Sequence, residues 1–181
     1  MGKYDASQFQ YPESPLKELA TRYFRSHGPA TANDFAWWSG LPKANVTTAI
    51  DLPKNNLEHH IIDDCEYYWI TTESALQEAY NVPNIHLLPA FDEYYLGYRD
   101  RDLIISTQFA SQVSRNGVFY PMILIDGKIE GIWKQKTKKR TIEISLFPFN
   151  SLTSSNYGAI HNIAKRYTNY LDLKLTLNLI K

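Results

Sequence analysis

Seven consecutive residues, Lys134-Gln135-Lys136-Thr137-Lys138-Lys139-Arg140, hold five cations and no acid. Cations at that density can neutralise neighbouring phosphates, and release of condensed counterions then supplies affinity without reading base sequence. Trp133, just before the run, offers a ring for stacking on a base. A second charged stretch, Arg99-Asp100-Arg101-Asp102, follows closely on Asp92-Glu93. Two carboxylates near a cationic groove can carry a proton or position a water. Asp92 and Glu93 are therefore weak catalytic candidates, and Arg99 and Arg101 are candidate phosphate contacts. Neighbours on a strand point to opposite faces, so Asp92 and Glu93 are not expected to act as a pair. Blander readings stand beside these: a solvated hairpin tip with Trp133 in the core, and a surface ion-pair cluster at a strand end.

Other chemistries find little support. The five histidines (His27, His59, His60, His86 and His161) are scattered without metal-ligand spacing. The single Cys65 excludes an internal disulfide framework and points to a reducing compartment. With eight glycines there is no phosphate-cradling Gly-rich loop, and no G-x-S-x-G elbow occurs. Neither a metal nor a cofactor is expected.

The chain has 181 residues, 44% of them hydrophobic, enough for one domain or two small ones with real cores. No apolar run approaches the roughly 20 residues of a membrane span, and residues 1–5 carry no signal-peptide core. A cytoplasmic protein without a membrane partner is expected. Lys plus Arg and Asp plus Glu both number 19, so net charge is zero. That average hides an asymmetry: residues 1–90 carry 6 basic and 11 acidic side chains, and residues 91–181 carry 13 and 8. A phosphate-facing surface belongs in the second half.

Residues 1–13 form a polar tail or truncated linker. Residues 14–84 hold three helices and a hairpin. The first helix starts at Ser14-Pro15, with Leu16, Leu19, Ala20, Tyr23 and Phe24 as its apolar stripe. The second is capped by Thr31 with Asp34 three residues on, a short capping box. The third runs from Pro42 to Ile50. Ala36, Gly40 and Val46 have the spacing of a helix-turn-helix, with a small residue for close approach, a glycine for the left-handed turn and an apolar plug. Lys43, Asn45, Thr47 and Thr48 then face outward, with Lys43 and Asn45 as second-rank DNA contacts. Leu57–Ile62 and Tyr67–Ile70 flank Asp63-Asp64-Cys65-Glu66 as a hairpin with an acidic tip. The order is that of a winged helix, and such a unit is as well suited to scaffolding or protein contact as to groove reading.

Residues 85–181 read as a small antiparallel β-domain with a C-terminal helix and strand, for an α+β chain overall. Ile85–Leu88, Val118–Ile125, Lys128–Trp133 and Thr141–Phe147 are its strands, with Asp126-Gly127 a hairpin turn and the basic run a loop. Residues 151–170 suit a helix, and Leu171, Leu173, Leu175, Leu177 and Leu179 alternate as a strand with one buried face.

The stretches from Ala20 to Leu41, His86 to Arg101 and Ile125 to Lys134 resemble the winged helix DNA-binding domain-containing proteins, the family of the AlkZ and YcaQ DNA glycosylases. The likeness spans about residues 16–180. It implies a basic surface for duplex DNA, and in the glycosylases removal of alkylated bases. Their water-positioning Gln-apolar-Gln or Gln-apolar-Asp motif lies in an N-terminal half. Gln8-Phe9-Gln10 has the letters of that motif without its Gly-Ala and Asp-Tyr neighbours. The expectation is a C-terminal half that grips duplex phosphates through Lys134, Lys136, Lys138, Lys139 and Arg140 and lacks excision activity as this chain. A missing N-terminal half or a protein partner would complete it. The alternatives are a glycosylase acting on alkylated bases and a protein-interaction winged helix without DNA affinity.

Overall fold

The computed structural model describes residues 13–53, 56–71 and 84–180. The Gln8-Phe9-Gln10 triplet and nearly all of the expected tail lie outside the described residues. The described chain is mixed α+β, and its residues group into two compact units: 13–71 with Leu96–Asp100, and 84–95 with 101–180.

In the first unit the apolar stripe beginning at Leu16 forms α1 (Glu13–His27). Pro15 falls in its first turn, where a missing N–H removes no intrahelical bond. A two-residue strand, β1 (Ala30–Thr31), leads into α2 (Ala32–Ser39). The capping box is complete: Thr31 Oγ1 accepts from the Asp34 amide, and Asp34 Oδ2 accepts from the Thr31 amide and hydroxyl at 2.9 and 2.7 Å. Gly40 ends α2 at φ 67°, the left-handed conformation that glycine adopts without strain. Then α3 (Lys43–Asp51) turns Val46 and Ala49 inward against Tyr23, Phe24 and Phe35. Strands β2 (Glu58–Ile62) and β3 (Cys65–Trp69) pair as an antiparallel hairpin, and the sheet order is β1-β3-β2. The hairpin turn is shorter than the four acidic-tip residues expected. Asp63 and Asp64 take φ of 50° and 62°, a tight two-residue turn, so Cys65 and Glu66 already pair with Ile62 and Ile61.

The second unit is a five-stranded sheet with one long helix. Its strands are β4 (Ile85–Leu88), β7 (Met122–Ile125), β8 (Lys128–Lys138), β9 (Thr141–Pro148) and β10 (Lys174–Leu179), in the order β10-β9-β8-β7-β4. A small ribbon of β5 (Ser114–Arg115) and β6 (Val118–Phe119) precedes β7. The single strand expected over 118–125 is therefore broken. Pro121 lacks the N–H a continuous ladder needs, and Tyr120 instead donates to the Val113 carbonyl.

Two short helices, α4 (Glu93–Leu96) and a 3-10 turn (Thr107–Gln112), come before the long α5 (Ser154–Tyr170). Thr153 Oγ1 caps α5 by accepting from the Asn156 amide at 3.1 Å, which starts the helix three residues later than expected. The antiparallel β-domain also needs correction, because β10 runs parallel to β9. A helix returning the chain to the end where β9 began makes β9-α5-β10 a crossover unit, which joins parallel strands. Ile160 and Ala164 of α5 bury against Ile123, Ile142, Ile144 and Leu146 on one sheet face.

Candidate nucleic-acid interface

The basic run is strand, not loop. Residues Lys134 to Lys138 continue β8, paired in register with Ser145 to Thr141, and only Lys139 (φ 50°) and Arg140 turn the chain. The side-chain period of two explains why a polar run keeps its ladder. Gln135 and Thr137 sit opposite Ile144 and Ile142 on the core side, while Lys134, Lys136 and Lys138 project from the other face. Successive lysines on that face are about 7 Å apart at a strand rise of 3.3–3.4 Å per residue.

Two of these lysines have partners. Lys134 Nζ lies 5.2 Å from the Phe147 ring centre and 5.7 Å from that of Tyr120, within cation–π range. Lys138 Nζ is 3.6 Å from Glu143 Oε2, a pair exposed enough to contribute little stability. Trp133 does not offer a stacking ring: it is buried, with its indole N–H donating to the Leu88 carbonyl at 2.9 Å.

The other candidates are dispersed. Arg101 Nε donates to the Tyr95 carbonyl at 2.7 Å, and its guanidinium lies 4.5 Å from the Tyr95 ring centre. Burial pushes the Tyr95 phenol up, and Arg101 partly offsets that. Asp92 is a turn-capping residue whose Oδ1 accepts from the Tyr94 amide at 2.9 Å. Glu93 opens α4 and is exposed, so the pair sits on a helical turn rather than the strand expected. In the first unit, Lys43 is exposed at the start of α3, and Asn45 is half-buried with its amide donating to the Pro42 carbonyl at 2.9 Å. Arg99 belongs to that unit too, and Arg101 to the other.

What holds Arg99 is a feature that residue spacing did not reveal. Asp34, only 3% exposed, accepts through Oδ1 from the amides of Arg99 and Asp100 at 2.9 and 3.1 Å. One carboxylate thus caps α2 and fixes a segment 65 residues on in sequence. Tyr23 Oη donates to the Gly97 carbonyl, and Tyr98 Oη to that of His27, completing the attachment. The capping box signals the local role of Asp34; no periodicity signals the distant one.

Electrostatics separate the two hairpins. The β2–β3 tip presents Asp63 and Asp64, and Tyr68 Oη donates to Glu66 Oε2 at 2.6 Å. Burial first, then the Glu66 carboxylate, pushes the Tyr68 phenol up to about 12. Among the described residues no cluster of three or more His, Cys, Asp or Glu is arranged to hold a metal ion. No helix among them is long and apolar enough to cross a membrane.

The fold and its basic hairpin are those of an α+β chain with two units and a polycationic strand. The family model for DNA glycosylase AlkZ-like proteins matches residues 2–170, and the chain belongs to that family. Among solved structures it is similar to the Streptomyces sahachiroi DNA glycosylase AlkZ, with a TM-score of 0.74 and 19% identity. The match covers 96% of this chain and 47% of that one, so the chain spans about half the length of the solved relative. At that identity the likeness speaks for the fold. No curated protein matches the chain.

Proposed function

We propose that this chain is a cytoplasmic duplex-DNA-binding module in which Lys134, Lys136, Lys138, Lys139 and Arg140 grip phosphates. The observation that carries the reading is the alternation along β8, which keeps three exposed lysines on one face of a rigid ladder and leads into a turn made of two further cations. Membership in the DNA glycosylase AlkZ-like family supports DNA as the partner. In the first unit we read α1–α3 and the β2–β3 hairpin as a winged helix with α2 and α3 as its helix-turn-helix, on the strength of the left-handed Gly40 and the buried Val46. Lys43 and Asn45 are then second-rank contacts. We also read the chain as corresponding to the C-terminal half of AlkZ-type glycosylases, from the sequence likeness over residues 16–180.

The test is fluorescence anisotropy of the chain on a short labelled duplex across a salt series. Five phosphate contacts imply a log–log slope of about −4 to −5. Binding whose slope is unmoved by alanine at the five cations would remove the hairpin from the interface.

The family also favours a second reading, base excision by this chain with Asp92 or Glu93 handling the water. It predicts alkali-labile abasic sites in alkylated duplex, lost on Asp92→Asn or Glu93→Gln. Absence of product at long times leaves the binding module as the account.

A further inference from the structure

The phosphate-gripping reading above rests on one hairpin, but β8 is only one of three adjacent strands with a polar outer face. Registers of β8 with β9 and of β9 with β10 line their residues up in rows: Lys138, Thr141 and Lys174 in one, Lys136, Glu143 and Thr176 in the next. The third row is Lys134, Ser145 and Asn178. All nine positions face away from α5, which packs on the opposite face against Ile142, Ile144 and Leu146. None of the nine is buried, and Lys174 and Thr176 are exposed like the β8 lysines. Together the nine positions carry four ammonium groups to one carboxylate.

That carboxylate is placed as an organiser. Glu143 Oε1 accepts from Asn178 Nδ2 at 2.9 Å, and Oε2 meets Lys138 Nζ at 3.6 Å. Both contacts run diagonally between neighbouring strands, the spacing long side chains bridge. Glu143 thus holds Lys138 toward the sheet and offsets part of the positive field, while Lys174 has no acid directly across from it in the ladder.

We propose that the DNA-phosphate surface is this open face of β8, β9 and β10, with Lys174 as a further phosphate contact and Glu143 as an internal acid that limits how tightly the lysines hold the backbone. Thr141, Ser145 and Thr176 add hydroxyl donors between the cations, the kind of group that contacts phosphate oxygens without sequence choice. Duplex DNA is favoured by charge complementarity: a fixed lattice of cations meets a regular array of phosphates.

The experiment is the same salt series on the full chain, comparing wild type with Lys174→Ala, Glu143→Gln and Lys165→Ala, each checked for folding by circular dichroism. Lys165 is exposed on α5, on the other side of the sheet, and controls for net charge. Lys174→Ala should weaken binding about eightfold near 0.1 M salt and flatten the slope by about 0.9. Glu143→Gln should tighten binding and steepen the slope, and Lys165→Ala should leave it where it was. If the wild type binds but Lys174→Ala keeps its slope, or Lys165→Ala loses as much, the open face is overturned while the hairpin reading stands. If the wild type fails to bind duplex at low salt, both fall together.

Discussion

The hairpins β2–β3 and β8–β9 share a device and differ in what they display. Each turns through two residues, with left-handed backbone at both Asp63 and Asp64 in one and at Lys139 alone in the other. Each leaves a run of five strand residues exposed, all of β2 and the last five of β8. Yet the first offers Asp63, Asp64 and Glu66, and the second offers five cations without an acid between them. A β-ribbon by itself is indifferent to nucleic acid; the sign of its side chains decides whether phosphate is drawn in or repelled. The zero net charge of the chain averages an acidic first half with a basic second half and describes neither hairpin.

Neutralising the basic tip by replacing Lys136, Lys138, Lys139 and Arg140 together with alanine should cost about four thousandfold in duplex affinity near 0.1 M salt, with the slope reduced by about 3.6. Asp63→Asn with Asp64→Asn should change affinity by no more than about threefold. A gain well beyond that, measured by the same anisotropy, would put the acidic hairpin at the DNA.

Asp34→Ala removes a buried acceptor of four hydrogen bonds and strands the amides of Arg99 and Asp100. It should destabilise by about 2–4 kcal/mol in urea unfolding. Under conditions where the variant stays folded, its DNA salt slope should match wild type. Gly40→Ala should cost about 1–2 kcal/mol. A Cβ there meets nothing within 4 Å, so the backbone conformation alone is responsible, and an unchanged urea midpoint would contradict it.

The smallest effect expected is alkaline and confined to the acidic hairpin. Tyr68 has its phenol raised above the ordinary value of 10.0 to about 12. The unfolded chain therefore releases this proton first as pH rises. The stability linked to Tyr68 is full below pH 10 and is lost between about 10 and 12. Tyr68→Phe should remove that part of the alkaline decline, followed as Tm against pH, and an identical profile in the variant would refute the assignment.

Much of this architecture is legible in residue order because burial imposes a period. The stripe from Leu16 to Phe24 gave a helix, while the leucine alternation expected as a strand from Leu171 becomes one only from Lys174, because Leu171 caps the preceding helix and Asp172 turns the chain. Legibility failed where the core side of a strand is itself polar. Gln135 and Thr137 erase the alternation of β8, so a ladder strand reads as a charged loop. The parity of the Leu173–Leu179 pattern does carry the outward position of Lys174, a signal that a search for charge runs passes over. Asp34 shows the other limit, since its capping role is local and readable while its hold on Arg99 and Asp100 exists only after folding.

An NMR titration of the uniformly labelled chain with a short duplex would locate the DNA on the surface residue by residue. Amides of β8, β9 and β10 around Lys136, Lys138 and Lys174 should shift first and furthest, and those around Asp63 and Asp64 should stay put. Shifts confined to α3 and the β2–β3 hairpin, with the basic strand silent, would contradict the account.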